Sequence, residues 1–244
     1  MRRYIKQIIT LTFVLTLVLI LLNRRANKSY ESFNANTWTS DTELVIVSSH
    51  WNEDLTWLKS LSIPIVVCGK DGETPSAIPT NIRCKTPNIG YETSSYLKFI
   101  IEFYDELPAH VAFIHGHENA YHQTRDLAEI LNSNEWKTDK YYTLNFYPIN
   151  RCIDGDDIAR PLLKNIAIVW NEYFKPYLNI PTPSCVETDC CAQFVLPRDI
   201  IKRYPKSVYE HWYKLIMSDS QEKFNINTKD MAIVFEHVWY LIFG

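Results

Sequence analysis

The chain has 244 residues, 46% hydrophobic and 22% charged, a composition that supports a packed core and excludes a disordered or fibrous protein. Six glycines with no Gly-x-Gly exclude the Gly-rich phosphate loops of kinases, P-loop NTPases and Rossmann dehydrogenases. The net charge of -3 is uneven: residues 1–28 carry six Lys/Arg and no acid, leaving 19 basic against 28 acidic side chains beyond, a balance of -9 that argues against DNA or RNA as a partner.

Residues 8–22 run without a charge, flanked by Arg2, Arg3 and Lys6 on one side and Arg24, Arg25 and Lys28 on the other. Basic residues at both ends can snorkel to lipid headgroups, and Tyr4, Ile5 and Asn23 lengthen a run that is otherwise short of a full span. A cleaved signal peptide and a buried core helix are the rival readings, and against the first no small-residue A-x-A site comes after the apolar stretch. Residues 1–23 are therefore expected to form a transmembrane signal anchor, 24–42 a polar stalk, and 43–244 one globular domain. Basic residues balance across the span, and the short amino end favours a single-pass protein of the secretory pathway with a lumenal domain. Six cysteines beyond the anchor suit an oxidising compartment, although several could equally be buried as small apolar residues. No C-x-x-C pair is present, which argues against a zinc knuckle.

Within the domain, Leu44–Val47 is a continuous apolar run and reads as a strand buried on both faces. Leu55, Leu58 and Leu61 are spaced for a helix over 54–61, and 63–68 is a second buried strand. This opening predicts parallel strands in an α/β sheet. Residues 93–104 carry Tyr96, Phe99, Ile100 and Phe103 on one helical face. Residues 110–115 form a third buried strand that stops at Gly116. Strands over 142–146 and 192–196 and helices over 198–203, 207–217 and 228–243 come next, the last apolar nearly all round and so expected to be buried.

Ligands of open α/β sheets sit outside the carboxyl ends of the strands, which draws attention to the residues after Ile114. His115, His117, Glu118 and His122 could ligate a divalent metal, Mn or Mg, or supply a base near neutral pH. The competing reading is a loop held by its own imidazole hydrogen bonds. At the end of the first strand, Trp51, Asn52, Glu53 and Asp54 form a corner. Trp51 could stack on a base or sugar, and Asn52 or Asp54 could cap the next element. Asp154-Gly155-Asp156-Asp157 contains an Asp-x-Asp, a metal pair in nucleotide-sugar chemistry, but reads more simply as a turn. Glu187 and Asp189, just before a strand, are candidate catalytic bases or a solvated loop.

Five ordered segments carry a resemblance: 45–58, 88–97, 104–122 with its Phe113-Ile114-His115-Gly116-His117, 191–198 with Gln193 and Arg198, and 236–244. Together they resemble the family catalogued as domain of unknown function 3431, with a departure at Tyr91 where the motif has Arg. The strand, helix, strand opening and the segment around Gln193 are in turn similar to parts of GT-A-type glycosyltransferases. The resemblance implies an α/β single domain with a mostly parallel, GT-A-like central sheet behind an N-terminal transmembrane helix. It implies a membrane-anchored enzyme that moves a sugar from a nucleotide-sugar to an acceptor, with Gln193 among the substrate-binding residues. Two alternatives stand beside it: a metal-dependent hydrolase using His115, His117 and His122, and a non-catalytic anchored binding protein.

Overall fold

The structure, a computed structural model, describes residues 38–71, 82–120, 122–123, 125–152, 159–189 and 191–244. The expected anchor, most of the stalk and the Asp154–Asp157 turn lie outside the described residues. Among those described, no helix is long and apolar enough to cross a membrane.

The strands are β1 (Leu44–His50), β2 (Ile65–Lys70), β3 (Ile82–Thr86), β4 (His110–His115), β5 (Tyr142–Thr143), β6 (Pro148–Cys152), β7 (Cys185–Asp189) and β8 (Phe194–Pro197). The helices are α1 (Tyr91–Glu102), α2 (Leu127–Ser133), α3 (Ala159–Val169), α4 (Lys175–Leu178), α5 (Arg198–Ile201), α6 (Lys206–Lys214), α7 (Ser220–Phe224) and α8 (Thr228–Phe243). Six strands form one sheet in the order β3-β2-β1-β4-β8-β5, and β6 and β7 form a separate antiparallel ribbon. β1 pairs in parallel with both β2 and β4, and β2 with β3, while β8 runs antiparallel to β4 and β5. The mostly parallel α/β sheet is as the sequence implied.

The sheet is buried on both faces because its strands are apolar at successive positions, and the strand period of two divides them. Val45, Val47, Val66, Cys68, Val111, Phe113, Phe194 and Leu196 enter the larger core with the aromatic faces of α1, α6 and α8, the aliphatic face of α3, and Trp170, Tyr173 and Phe174 just after it. Leu44, Ile46, Ile65, Val67, Ala112, Ile114 and Val195 enter a smaller core with Trp57, Leu58, α2 and Trp136. Each of these larger side chains contributes roughly 1.5–3 kcal/mol on burial. α8 is sunk into the larger core as its composition required, capped where Asn227 Oδ1 accepts from Asp230 N (2.9 Å). Disulfides Cys68–Cys84 and Cys152–Cys185 tie β2 to β3 and β6 to β7.

Three expected elements change. The helix over 54–61 is a single 3-10 turn, Thr56–Ser60, because Asp54 Oδ1 accepts from Thr56 N (2.9 Å) and Pro64 lies just beyond. The strand over 142–146 is cut to β5 because Thr143 and Asn145 bond to each other in a turn, Asn145 N donating to Thr143 Oγ1 (3.1 Å). The strand over 192–196 starts later, at Phe194, since Cys191 and Ala192 hold φ of 91° and 45°, outside any strand geometry.

Candidate functional site

Chain order gives the sheet a switch point. From β1 the chain moves to β2 and β3 on one side, then crosses to β4 on the other. The register aligns Ser49 with His115 across β1 and β4, and His50 with Gly69 across β1 and β2. The residues beyond these pairs therefore open at one end of the sheet, where open α/β folds place their ligands. A pocket of about 280 Å³ occupies this position, walled by Ser49, Trp51, Glu53, Lys70, Glu92 and His115, with Asn88, Tyr91, Gly116 and His117 completing it.

Lys70 is the buried cation of the pocket, only 3% exposed at the end of β2. Its Nζ donates to Ser94 Oγ (2.6 Å) and to the Tyr91 carbonyl, which holds it beside the first turn of α1. Burial pushes its pKa down to about 8, opposed by the neighbouring Glu92 and Asp71 carboxylates. Glu92 is pushed up by burial, with Lys70 pulling the other way. α1 itself starts from Gly90 in the left-handed region (φ 68°), where an added Cβ would run into the Ile216 side chain; Gly90 offers no side-chain cap, and the Glu92 carboxylate accepts from its own amide. Tyr91 follows with φ of 45°, an unusual conformation for a bulky residue, and presents its ring to solvent. A buried lysine beside the start of a helix makes a place for an anion.

The corner after β1 and the loop after β4 meet in this pocket. Glu53 accepts from Trp51 N, and its Oε2 lies 3.1 Å from His50 Nδ1, out of line for a hydrogen bond. A Cβ on Gly116 would sit 2.9 Å from Glu53 Cβ, Cγ and Oε2, so the absent side chain is what lets the two loops close. Trp57 Nε1 locks them by donating to the Gly116 carbonyl (3.1 Å). Trp51, 53% exposed, and Tyr91, 49% exposed, stand as aromatic flanks.

The sequence candidates separate into groups. Trp51, Glu53, His115 and His117 line the pocket. Asn52, with φ of 67°, turns the corner, and Asp54 caps the 3-10 turn, its carboxyl held below its ordinary pKa by the Thr56 amide. Gln193 is buried behind the pocket: its Oε1 accepts from His115 N (3.0 Å), and its Nε2 donates to Asn145 Oδ1 (3.0 Å). His122 stands behind His115, its ring 5.7 Å away and edge-on, with Nδ1 2.8 Å from Asn145 Oδ1. Burial, then the His122 and His117 imidazoles, push the His115 pKa down to about 3, and its Nε2 has no hydrogen-bond partner among the described residues. Glu118 is exposed and outside the pocket wall. Among the described residues, no three His, Cys, Asp or Glu side chains come together to hold a metal, so His115, His117, Glu118 and His122 do not form one ligand set. Glu187 and Asp189 sit on β7 and line a different hollow with Tyr141 and Tyr240.

Lys70, Ser49, Asn88 and Glu92 were not singled out from sequence. Lys70 had a faint signal, a lysine closing an apolar strand after Gly69, but a terminal charge ordinarily reads as solvated.

No curated protein and no solved structure matches the chain. The model of the family described as "Protein of unknown function (DUF3431)" matches residues 45–244, which takes in every strand and helix built around this pocket. The chain belongs to that family.

Proposed function

We propose that the domain binds a nucleotide-sugar in the pocket at the β1/β4 switch point and transfers the sugar to an acceptor hydroxyl. The observation that carries this reading is the pairing, in one hollow, of a buried lysine at a helix start with two exposed aromatic rings. The lysine and amides suit a diphosphate, and Trp51 or Tyr91 suits a base or sugar face.

In the reaction, the bond from the sugar's anomeric carbon to the diphosphate oxygen breaks as the acceptor oxygen bonds to that carbon. The bond's electron pair leaves with the diphosphate, stabilised by the Lys70 ammonium and the α1 amides. The acceptor's proton passes to a carboxylate, a role that falls to Glu92 or Glu53, the carboxylates of this pocket. A divalent metal, Mn or Mg, is an expectation of the glycosyltransferase reading, but the residues here do not gather as a ligand set. No step is therefore routed through one. The same reading keeps the domain in the secretory lumen behind its N-terminal anchor.

The test is thermal unfolding of the full chain against a nucleotide-sugar panel, with and without Mn²⁺. A ligand at a hundred times its Kd adds about 2.7 kcal/mol, and the expected result is a raised Tm for at least one donor. A flat response to every donor, alone and with Mn²⁺, would remove the transferase reading. For the topology, protease added to sealed microsomes should leave the domain intact; its digestion would place it on the cytoplasmic side.

A further inference from the structure

A second hollow lies away from the switch point, where the β6–β7 ribbon meets β5 and the outer side of α8. It measures about 780 Å³ and is walled by Tyr141, Thr143, Asn150, Glu187, Asp189 and Tyr240. Volumes of this order take a ligand of several rings. The Tyr141 and Tyr240 rings meet edge to face with centroids 5.6 Å apart, and Tyr240 is 47% exposed although it belongs to the otherwise buried α8. Two more exposed aromatics, Phe146 and Tyr147, lead into β6. An exposed ring at the wall of a hollow, in a domain that buries most of its large side chains, requires a reason.

The polar groups narrow the ligand class. Asn150 and Glu187 are cross-strand partners, and Asn150 Nδ2 donates to Glu187 Oε1 (3.0 Å), which presents amide and carboxylate as one fixed array. The Cys152–Cys185 bridge holds that ribbon in register. Among the described residues no lysine or arginine lines the hollow, so it offers little to a phosphate. Its stock of acceptor oxygens, an amide and two threonine hydroxyls beside aromatic faces is what a polyol ring needs: hydroxyls donate to the carboxylates while the C–H face lies on a tyrosine. A simple cation is served less well, because Asp189 is pushed toward its neutral form by burial and Glu187 already shares an oxygen with Asn150.

We propose that the cleft formed by Tyr141, Asn150, Glu187, Asp189 and Tyr240 binds a neutral oligosaccharide. The assignment stands on this cleft's own residues, apart from the donor pocket.

The experiment is saturation-transfer NMR and titration of the full chain with a panel of neutral di- to tetrasaccharides, run beside a lysine-rich peptide as the cationic competitor. At least one saccharide should bind, and Tyr240→Ala and Asp189→Asn should each weaken it by about tenfold, with Tyr240→Phe restoring binding because the ring is kept. The thermal response to nucleotide-sugars at the first pocket should be the same in all three variants. Absence of saccharide binding, retention of it in both Tyr240→Ala and Asp189→Asn, or preference for the peptide would overturn the assignment. Failure of the donor response with saccharide binding intact would count against the transferase reading alone and leave the cleft a saccharide site.

Discussion

The pocket at the ends of β1 and β4 sets Lys70 and two imidazoles among its carboxylates, whereas the cleft beside β7 and α8 is walled by carboxylates, hydroxyls and tyrosines. Their supports differ as well. The first rests on parallel strands buried on both faces and on hydrogen bonds from behind, with Gln193 holding the His115 amide. The second rests on a two-stranded ribbon whose pairing is fixed by a disulfide. A chain whose balance beyond residue 28 is -9 sets Lys70, buried, at the pocket between Glu53 and Glu92. It leaves the cleft for ligands that bring their own hydrogen-bond donors.

The contrast is broken most severely at Lys70. Lys70→Met removes a charge-assisted donor, roughly 3 kcal/mol or about a hundredfold in affinity for a diphosphate ligand, while saccharide binding at the cleft stays at its native value. Equal loss at both sites, measured by titration, would show that they do not act separately. Next comes Gly116→Ala, whose new Cβ must displace Glu53. Overpacking of this kind costs about 1–3 kcal/mol, and the nucleotide response should fall while the cleft is untouched. An unchanged response would show that Glu53 need not stay where it is.

A third test acts on α8, at Glu236. Glu236 is pushed up to about 7 by burial and then by Glu92, from an ordinary value of 4.5. The folded state keeps a proton that the unfolded chain has lost, so stability falls as pH rises from 4.5 to 7 and stays reduced above. Glu236→Gln should raise the Tm at pH 8 and leave it unchanged at pH 4. A gain of the same size at both pH values would contradict the assignment of a buried carboxyl there.

Much of this arrangement was readable from residue order, for identifiable reasons. β4 was placed at its observed ends because its apolar residues are bracketed by Leu107-Pro108 and Gly116. The meeting of the Trp51–Asp54 corner with the loop after β4 comes from neighbouring parallel strands, and the Glu53–Gly116 approach realises it. β1 runs past its apolar core to Ser48, Ser49 and His50 because those polar groups are buried all the same; Ser49 Oγ lies 3.0 Å from Ser95 Oγ. α3 had a signal in Leu163, Ile166, Val169 and Trp170, which keep helical spacing into the larger core. β6 and β7 had none: they are short, partly exposed and paired across a bridge that cysteine spacing does not specify. Glu187 and Asp189 were therefore readable as acidic residues before a strand but not as part of a second hollow. Lys70 was missed because its burial depends on β1, β3 and α1, none of which is near it in sequence.

If the switch-point pocket holds the nucleotide-sugar, photolabelling of the full chain with an azido-nucleotide-sugar, followed by peptide mapping, will find it there. Label is expected on the peptides carrying Trp51 and Tyr91, suppressed by unlabelled donor and lost in Lys70→Met. Competable label confined to other peptides, α8 or the β6–β7 ribbon among them, would contradict the assignment of this pocket to the donor.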